Sequence, residues 1–288
     1  MPLRSTWLAL LALILLASLL ARGPVLHASE RRHGHEVLEL EAGLFGDTIL
    51  HSTRGSVSRQ EVQRRLDDLL DRAAGELATQ REDPRAVLPG FAELLRAEGY
   101  TYRDTSDPGY ALRGYHTLHM GLAKREVDCV LLAHLYLAFA DELDLPLRAV
   151  FGPGHVHLRW TGREELDWEP TLGEERPATF YPGWLDYSRK EVERGVYGRP
   201  LARAEVLALV HYERASVLAA RGELEPALVA AHLAAEAAPR IPDVHDLLGA
   251  LEARRGREAL AAAHFERALA LDPGFRLALE HRERLGAR

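Results

Sequence analysis

Cysteine is almost absent from this 288-residue chain, because Cys129 is its only cysteine. A single cysteine excludes an intrachain disulfide and a zinc finger built on cysteine ligands. Lysine is also scarce, since Lys124 and Lys190 are the only two among 36 basic residues. We attribute the scarcity of lysine to coding bias and not to a physical requirement.

The sequence has no long basic run, and 36 basic against 43 acidic residues leave a net charge of −7. This balance argues against nucleic acid as a partner. With 27% charged and 47% hydrophobic residues, the composition is typical of a globular protein. The length allows one mid-sized domain and a smaller one.

Long apolar runs are missing except near the N-terminus, where residues 7–21 follow Arg4. This run is shorter than the roughly 20 residues of a transmembrane helix and fits the apolar part of a signal peptide. Leucine stands two residues before both Ala21 and Ala28, so neither completes a clean cleavage site. We predict that residues 1–28 are a signal peptide or a membrane anchor. The protein is then exported, either to the periplasm or anchored to the outer face of the inner membrane.

Helix and strand signals divide the remaining chain into an N-terminal segment and two bodies. Residues 29–56 give weak signals, with strand-like pieces at Val37–Leu40 and Thr48–His51. Residues 57–200 are predicted to be an α+β domain, and residues 201–288 an all-helical unit. In the α+β domain, Ser58 to Glu61 has the pattern of a capping box that starts a helix. A second helix is predicted at about 86–98, and a loop at 101–114.

The centre of the α+β domain is a helix followed by a hairpin. Residues 129–143 are apolar almost all round, which predicts a buried helix. A short apolar strand at 147–151 follows, and then the segments 155–160 and 165–170 flank a turn. This order predicts a buried helix packed on a small antiparallel sheet.

The C-terminal unit overlays on itself when it is shifted by 34 residues, with a closing proline in each copy. The superposed pairs include Gly222 with Gly256, Ala227 with Ala261, Ala234 with Ala268 and Pro239 with Pro273. This period is typical of tetratricopeptide repeats. We predict repeats at about 208–241 and 242–275, followed by a capping helix, and a protein partner that binds them.

Cys129 stands where a nucleophile could be activated. Asp128 is a natural N-cap, so Cys129 takes the first helical position. The partial positive charge of a helix N-terminus favours a thiolate, whereas the neighbouring carboxylate of Asp128 opposes it. A cysteine nucleophile also needs a base, and the base needs an orienting partner.

The hairpin offers two histidine–acid pairs on one face of the sheet. If the strands pair about Gly162, then His155 faces Glu169 and His157 faces Asp167. The hairpin alone leaves open which pair is the base with its orienter.

A metal site is an alternative use of the same histidines. The ligands of such a zinc site would be His116, His119, His155, His157 and either Asp167 or Cys129. Our main prediction includes neither a metal nor a cofactor.

The stretch Leu118–Thr171 resembles the bacterial transglutaminase-like superfamily, in its SirB-like branch, where C-terminal tetratricopeptide repeats are common. The matching pieces are GLAKREVDC (121–129), LPLRAVFGPGHVHLRW (145–160) and DWEPT (167–171). The resemblance covers roughly residues 57–275. Two departures are Glu126–Asp128, where glycine is usual, and a glutamate in place of the commoner aspartate in the acid-Pro-Thr position.

The resemblance implies a papain-like core with a Cys-His-acid triad. Cys129 is then the nucleophile, His155 the base and Glu169 the third member, with Asp167 and His157 as the alternative acid and base. It implies acyl transfer from an amide bond of a peptide or protein through a thioester, ended by water or an amine. The alternative function is an inactive scaffold that binds a protein partner through the repeats.

Overall fold

The computed structural model describes residues 33–45, 57–103 and 117–287, which are mostly helical. The helices are α1 His33–Phe45, α2 Arg59–Leu77, α3 Pro84–Ala97, α4 Leu118–Lys124, α5 Cys129–Leu143, α6 Phe180–Trp184, α7 Arg189–Glu193, α8 Arg203–Ala220, α9 Leu224–Ala237, α10 Pro242–Arg254, α11 Glu258–Leu271 and α12 Arg276–Gly286. The strands are β1 Thr101–Tyr102, β2 Glu126–Val127, β3 Leu147–Gly152, β4 His155–Thr161, β5 Glu165–Glu169 and β6 Glu174–Arg176. A 3-10 turn, Ala78–Gln80, follows α2.

Strands β3 to β6 form one antiparallel sheet in chain order, and β1 pairs with β2 in a separate parallel pair. Helix α5 packs against this sheet on one side and against α1 and α2 on the other. Its burial follows from its apolar residues, which leave no polar face for solvent. The predicted buried helix on a small antiparallel sheet is therefore present.

Helix α5 has the bounds that the sequence predicts. The Asp128 side chain accepts a hydrogen bond from the Leu131 N–H at 2.8 Å, so one of the free N–H groups of the first turn is satisfied. The helix ends at Asp144, which adopts the left-handed conformation with φ of 55°. The cap places Cys129 at the N-terminal end of α5.

One predicted strand is a helix, whereas the second predicted helix is present as α3. The predicted strand Val37–Leu40 is wrong, because these residues lie in α1, where Val37 and Leu38 are buried in the core. Packing against α5 decides their conformation over the weak local signal. Helix α3 contains Pro89 in its interior, since Asp83 caps it and Pro84 takes the first turn. The other predicted strand, Thr48–His51, and most of the predicted loop 101–114 lie outside the described residues.

The hairpin forms, but its register differs from the prediction. Arg159 lies opposite Asp167 and Thr161 opposite Glu165, so the strands pair about Arg163 and not about Gly162. The backbone N–H of Thr161 also donates to the Pro146 carbonyl at 2.7 Å, so Thr161 continues the pairing of β4 with β3. The prediction that His155 lies opposite Glu169 and His157 opposite Asp167 is therefore wrong.

The C-terminal helices repeat at the interval that the sequence shows. Helices α9 and α11 begin at residues 224 and 258 and end at 237 and 271, which are 34 residues apart in both cases. Gly222 and Gly256 precede them with φ of 80° and 76°, a conformation that glycine adopts without strain. The assignment of these helices to the tetratricopeptide class stays a prediction.

Residues on both sides of the predicted boundary at 200/201 share one apolar core. Leu201, Val206 and Leu209 are buried in the same cluster as Leu132 of α5 and Phe151 of β3. The chain from His33 onward forms one compact unit. The C-terminal helices therefore pack on the sheet and on α5, although the domain limits themselves stay a prediction.

In the part of the chain that the structure describes, no helix has both the length and the apolar character needed to cross a membrane. The predicted signal peptide or anchor at residues 1–28 lies outside that part.

Candidate active site

Cys129 lies at the meeting point of α5 and β4, and only 7% of it is exposed. Burial raises the pKa of its thiol well above the ordinary value, and the charge of Asp128 raises it further. A hydrogen bond from the backbone N–H of Val156 acts in the opposite direction. The resting cysteine is therefore a thiol, held next to the first residues of β4.

His155, the first residue of β4, contacts Glu169 at the end of β5. Its Nε2 lies 2.8 Å from Oε2 of Glu169. Continuing the observed register would put His155 beyond the end of β5, so this contact is diagonal across the two strands. The other carboxylate oxygen of Glu169 accepts hydrogen bonds from the hydroxyl of Thr171 at 2.6 Å and from its N–H at 3.1 Å.

These contacts orient the imidazole of His155. Glu169 is fully buried and both of its oxygens are engaged, so its carboxylate is fixed in position. Because Nε2 of His155 faces Glu169, Nδ1 is the nitrogen that remains for a reacting group. His155 and Cys129 line the same cavity.

His157 and Asp167 are engaged elsewhere. The ring of His157 stacks on Tyr181 at a centroid distance of 3.5 Å, and neither ring nitrogen has a hydrogen-bond partner among the described residues. Burial lowers the pKa of His157 to about 2, and the charge of Arg159 contributes. The Asp167 carboxylate accepts two hydrogen bonds from Arg159 and lies 3.9 Å from His157. Neither His157 nor Asp167 lines the Cys129 cavity.

The cavity beside Cys129 has a volume of about 270 Å³. One wall comes from α5 and the β3–β4 turn, and the opposite wall from the C-terminal helices. Its described lining residues are Asp128, Cys129, Val130, Phe151, Gly154, His155, Val156, Leu209, Tyr212, Glu213, Ser216, Ile241, Asp243 and Leu277. Three carboxylates thus line the cavity, and no lysine or arginine is among these lining residues.

Asp243 is the second residue of α10 and is 8% exposed. Burial raises the pKa of its carboxyl group to about 7. Hydrogen bonds from its own N–H and from that of Gly154 lower the pKa, while the negative charge of Asp246 raises it. Its Oδ2 atom has no hydrogen-bond partner among the described residues.

Trp184 covers His155 from another side. Its ring meets that of His155 edge-on, with centroids 4.9 Å apart and an interplanar angle of 72°. Trp184 is 48% exposed, although it is a large aromatic residue. An exposed ring over a buried histidine limits the access of water to that side of the site.

Sequence reasoning missed Trp184, Glu213 and Asp243 as parts of this site. None of them belongs to a motif, and Asp243 and Glu213 lie in the helical unit that was interpreted as a separate body. The charge of Asp243 beside Pro242 indicates only the start of a helix. Its place in the cavity depends on how α10 packs against the β3–β4 turn.

The described members of the zinc ligand set do not come together. Among the described residues, no three histidine, cysteine, aspartate or glutamate side chains are placed to hold a metal ion. His119 lies 3.8 Å from Glu41 of α1 and does not line the cavity. His116 lies outside the described residues.

Comparison with protein families identifies the domain that carries Cys129, His155 and Glu169. Residues 60–175 match the sequence model of the transglutaminase-like superfamily. The chain therefore carries a transglutaminase-like domain at these residues, which include Cys129, His155 and Glu169. No curated protein and no solved structure matched the chain.

Proposed function

We propose that this protein is a transglutaminase-like thiol enzyme that acts on an amide bond of a peptide or protein. The observation that supports it is the His155–Glu169 pair at 2.8 Å, beside the cavity that His155 shares with Cys129. Cys129 is the nucleophile, His155 the general base and Glu169 the residue that orients the base.

The reaction proceeds through a thioester. His155 takes the thiol proton as the sulfur of Cys129 forms a bond to the carbonyl carbon, and the bond from carbon to nitrogen then breaks. The leaving amine receives the proton from His155. Water next adds to the thioester carbon and gives a proton to His155. The C–S bond then breaks, His155 returns that proton to the sulfur to restore the thiol, and a carboxylic acid is released. An amine in place of water gives a new amide.

Burial determines when the thiol loses its proton. Because burial and Asp128 both raise the pKa of Cys129, we propose that the thiolate forms during attack, as His155 accepts the proton. A stable thiolate–imidazolium pair before substrate binding is not required by this mechanism.

A catalytically inactive scaffold is the second candidate function. The observations that favour it are the 7% exposure of Cys129 and the raised pKa of its thiol. In this case the transglutaminase-like domain only supports the C-terminal helices, which bind the partner.

We further propose that the protein is exported, with residues 1–28 as a signal peptide or an anchor at the inner membrane. The support is the apolar run 7–21. The 34-residue interval of α9 and α11 supports a tetratricopeptide unit that binds a protein partner. Assignment to the SirB-like branch belongs to the same proposal.

Acylation by an activated ester tests the proposed enzyme. We expect p-nitrophenyl acetate to acetylate Cys129 with release of p-nitrophenolate, as seen by absorbance and intact mass. Cys129→Ala should abolish it, and His155→Ala should slow it about 100-fold or more. His157→Phe is the matched control, because phenylalanine keeps the stacking on Tyr181 and should leave the rate unchanged. Equal rates in the wild type and in His155→Ala would favour the scaffold.

A further inference from the structure

One carboxylate oxygen of Asp243, Oδ2, makes no hydrogen bond within the described part of the chain. Asp243 is 8% exposed, lines the Cys129 cavity, and its Oδ2 has no hydrogen-bond partner in the described part of the chain. Buried polar atoms without a partner are rare and unfavourable in native proteins. A ligand group in the cavity that donates a hydrogen bond would satisfy this atom.

The charge around the cavity indicates which kind of donor fits. Asp128 and Glu213 also line it, from two other elements, and no lysine or arginine is among the described lining residues. Asp128 already caps α5 through Leu131, so its place is explained by the fold. Three carboxylates around a small space attract a cation and repel an anion, and low polarity nearby strengthens both effects.

The size and location of the cavity are consistent with one substrate side chain. Its volume of about 270 Å³ lies near the lower end of the range for small-molecule pockets, about 300–1,000 Å³. Cys129 and His155 form one part of the lining and Asp243 another. A group bound at Asp243 therefore occupies the same cavity as the thiol of Cys129.

We propose that this cavity selects a positively charged side chain of the acyl-donor substrate, an ammonium or a guanidinium group, and that Asp243 is the residue that contacts it. The proposal rests on the proposed function for the reaction at Cys129, but charge selection itself requires no catalysis. Asp243 comes from the C-terminal helices, so these helices contribute to specificity.

The bound cation is a recognition group and not the attacking amine. An amine attacks a thioester only as the free base, and a neighbouring carboxylate stabilises its protonated form. The ammonium held at Asp243 is therefore unreactive, and the acceptor approaches from elsewhere.

Charged thiol reagents measure the selectivity of the cavity directly, because Cys129 is the only thiol of the chain. Three methanethiosulfonates are applied to the full-length protein: trimethylammonioethyl, methyl and sulfonatoethyl. In each case the sulfur of Cys129 forms a disulfide with the sulfenyl sulfur of the reagent, and methanesulfinate leaves with the electron pair. The labelling rate of Cys129 by each reagent is measured by intact mass. It is divided by the rate at which the same reagent labels a small free thiol, which corrects for the intrinsic reactivity of the reagent.

We expect the cationic reagent to react about tenfold faster than the anionic one after this correction. At pH 8, above its pKa of about 7, Asp243 is ionised, so Asp243→Asn removes one charge with little change of shape and should reduce that ratio about threefold or more. The control is Glu236→Gln, because Glu236 is exposed on α9 and does not line the cavity. A wild-type ratio near one, or the same ratio in Asp243→Asn as in Glu236→Gln, would overturn the proposal.

A second measurement does not depend on whether the variant folds. Butylammonium and butylguanidinium should slow labelling of the wild-type protein by the neutral methyl reagent in a saturable way. Butanol and butyrate at equal concentration should not. The two cations show which head group fits better, and equal protection by butanol would contradict recognition of charge.

The labelling experiment with charged reagents and the acylation experiment test the two proposals independently. His155→Ala should lose acylation by the activated ester and keep the preference for the cationic reagent. Charge preference without acylation in the wild type would reject the enzyme and retain the cation site. Acylation without charge preference would reject the cation site and retain the enzyme.

Discussion

Arg159 and Asp167 lie directly opposite each other on β4 and β5 and form an ion pair through two hydrogen bonds, at 2.6 and 3.0 Å. Arg159 also donates to the carbonyl of Gly198. The ion pair engages Asp167, the residue that the sequence predicts as the alternative acid. Glu169 is then the acid that contacts a histidine of the Cys129 cavity.

The two acids should therefore respond differently to loss of charge. Glu169→Gln should slow acylation of Cys129 by p-nitrophenyl acetate about tenfold to 100-fold, because the imidazolium loses its stabilising carboxylate. Asp167→Asn should leave that rate within about twofold, since Asp167 does not line the cavity. It should instead lower the free energy of unfolding by roughly 2 kcal/mol, a value reduced for the partial exposure of Arg159.

Those two variants are compared by steady-state rates and by urea unfolding of the same preparations. A rate loss in Asp167→Asn that equals the loss in Glu169→Gln would assign the orienting role to Asp167.

Acid should destabilise the protein through a buried histidine pair. Nε2 of His33 lies 2.9 Å from Nδ1 of His134, and burial lowers the pKa of each to about 3. Unfolding returns these pKa values to the model-peptide value of about 6.5, so the unfolded chain binds more protons in between. The stability that the neutral pair provides is therefore complete above pH 6.5 and is lost as the pH falls toward 3.

The measurement is the free energy of unfolding in urea at several pH values in that window. Glu41 has the opposite effect, because its pKa is raised to about 8, so the wild type is compared with variants and not interpreted alone. The double variant His33→Phe/His134→Leu should show a weaker loss on acidification. His35→Ala is the control, because His35 lies on the same helix and pairs with the exposed Asp67. An unchanged pH slope in the double variant would contradict this prediction.

Helices α10 and α11 approach closely at Gly249. A Cβ atom there would overlap the ring of Phe265, which is 1% exposed. Gly249→Ala should therefore lower the free energy of unfolding by about 1–3 kcal/mol, because the core must shift to admit a methyl group. Gly75→Ala in α2 is the control, since no atom lies within 4 Å of the new methyl. It should be neutral or stabilise by up to about 1 kcal/mol.

Thermal unfolding monitored by circular dichroism separates the two glycine variants. If Gly249→Ala loses no more stability than Gly75→Ala, the contact between α10 and α11 is loose enough to admit a methyl group.

Trp184 should affect the reaction more than the stability. Its ring is half exposed and meets His155 edge-on. Trp184→Ala opens that side of the imidazole to water, and we expect acylation to slow about tenfold through a less well-placed base. Leu260→Ala is the control, because Leu260 is 45% exposed on α11 and does not line the cavity. Equal acylation rates in both variants would show that Trp184 only covers the surface.

Much of the local structure follows from short-range patterns. Asp128 before an apolar run predicts the start of α5, and the structure confirms its cap on Leu131. The two segments around the turn at 162–164 form strands because alternation and turn residues act within the hairpin. The 34-residue interval likewise depends only on neighbouring helices.

The register of the hairpin illustrates what local patterns leave open. Pairing about Gly162 or about Arg163 satisfies the same alternation of side chains. The observed pairing is the second. In this register Arg159 lies opposite Asp167 and pairs with it, which leaves Glu169 for His155.

Sequence patterns indicate the candidate nucleophile Cys129, the buried helix that carries it, and two histidines and two acids as its candidate partners. Each of these depends on residue type and on spacing within about 40 residues, where helix and strand periodicity apply. Contacts in the folded chain are needed to see that His155 and Glu169 meet, that His157 is stacked away from the cavity, and that Asp243 lies in its wall. Asp243 follows His155 by 88 positions along the chain, from 155 to 243. Their proximity results from burial of α8 and α10 against the sheet. No local sequence pattern predicts this packing.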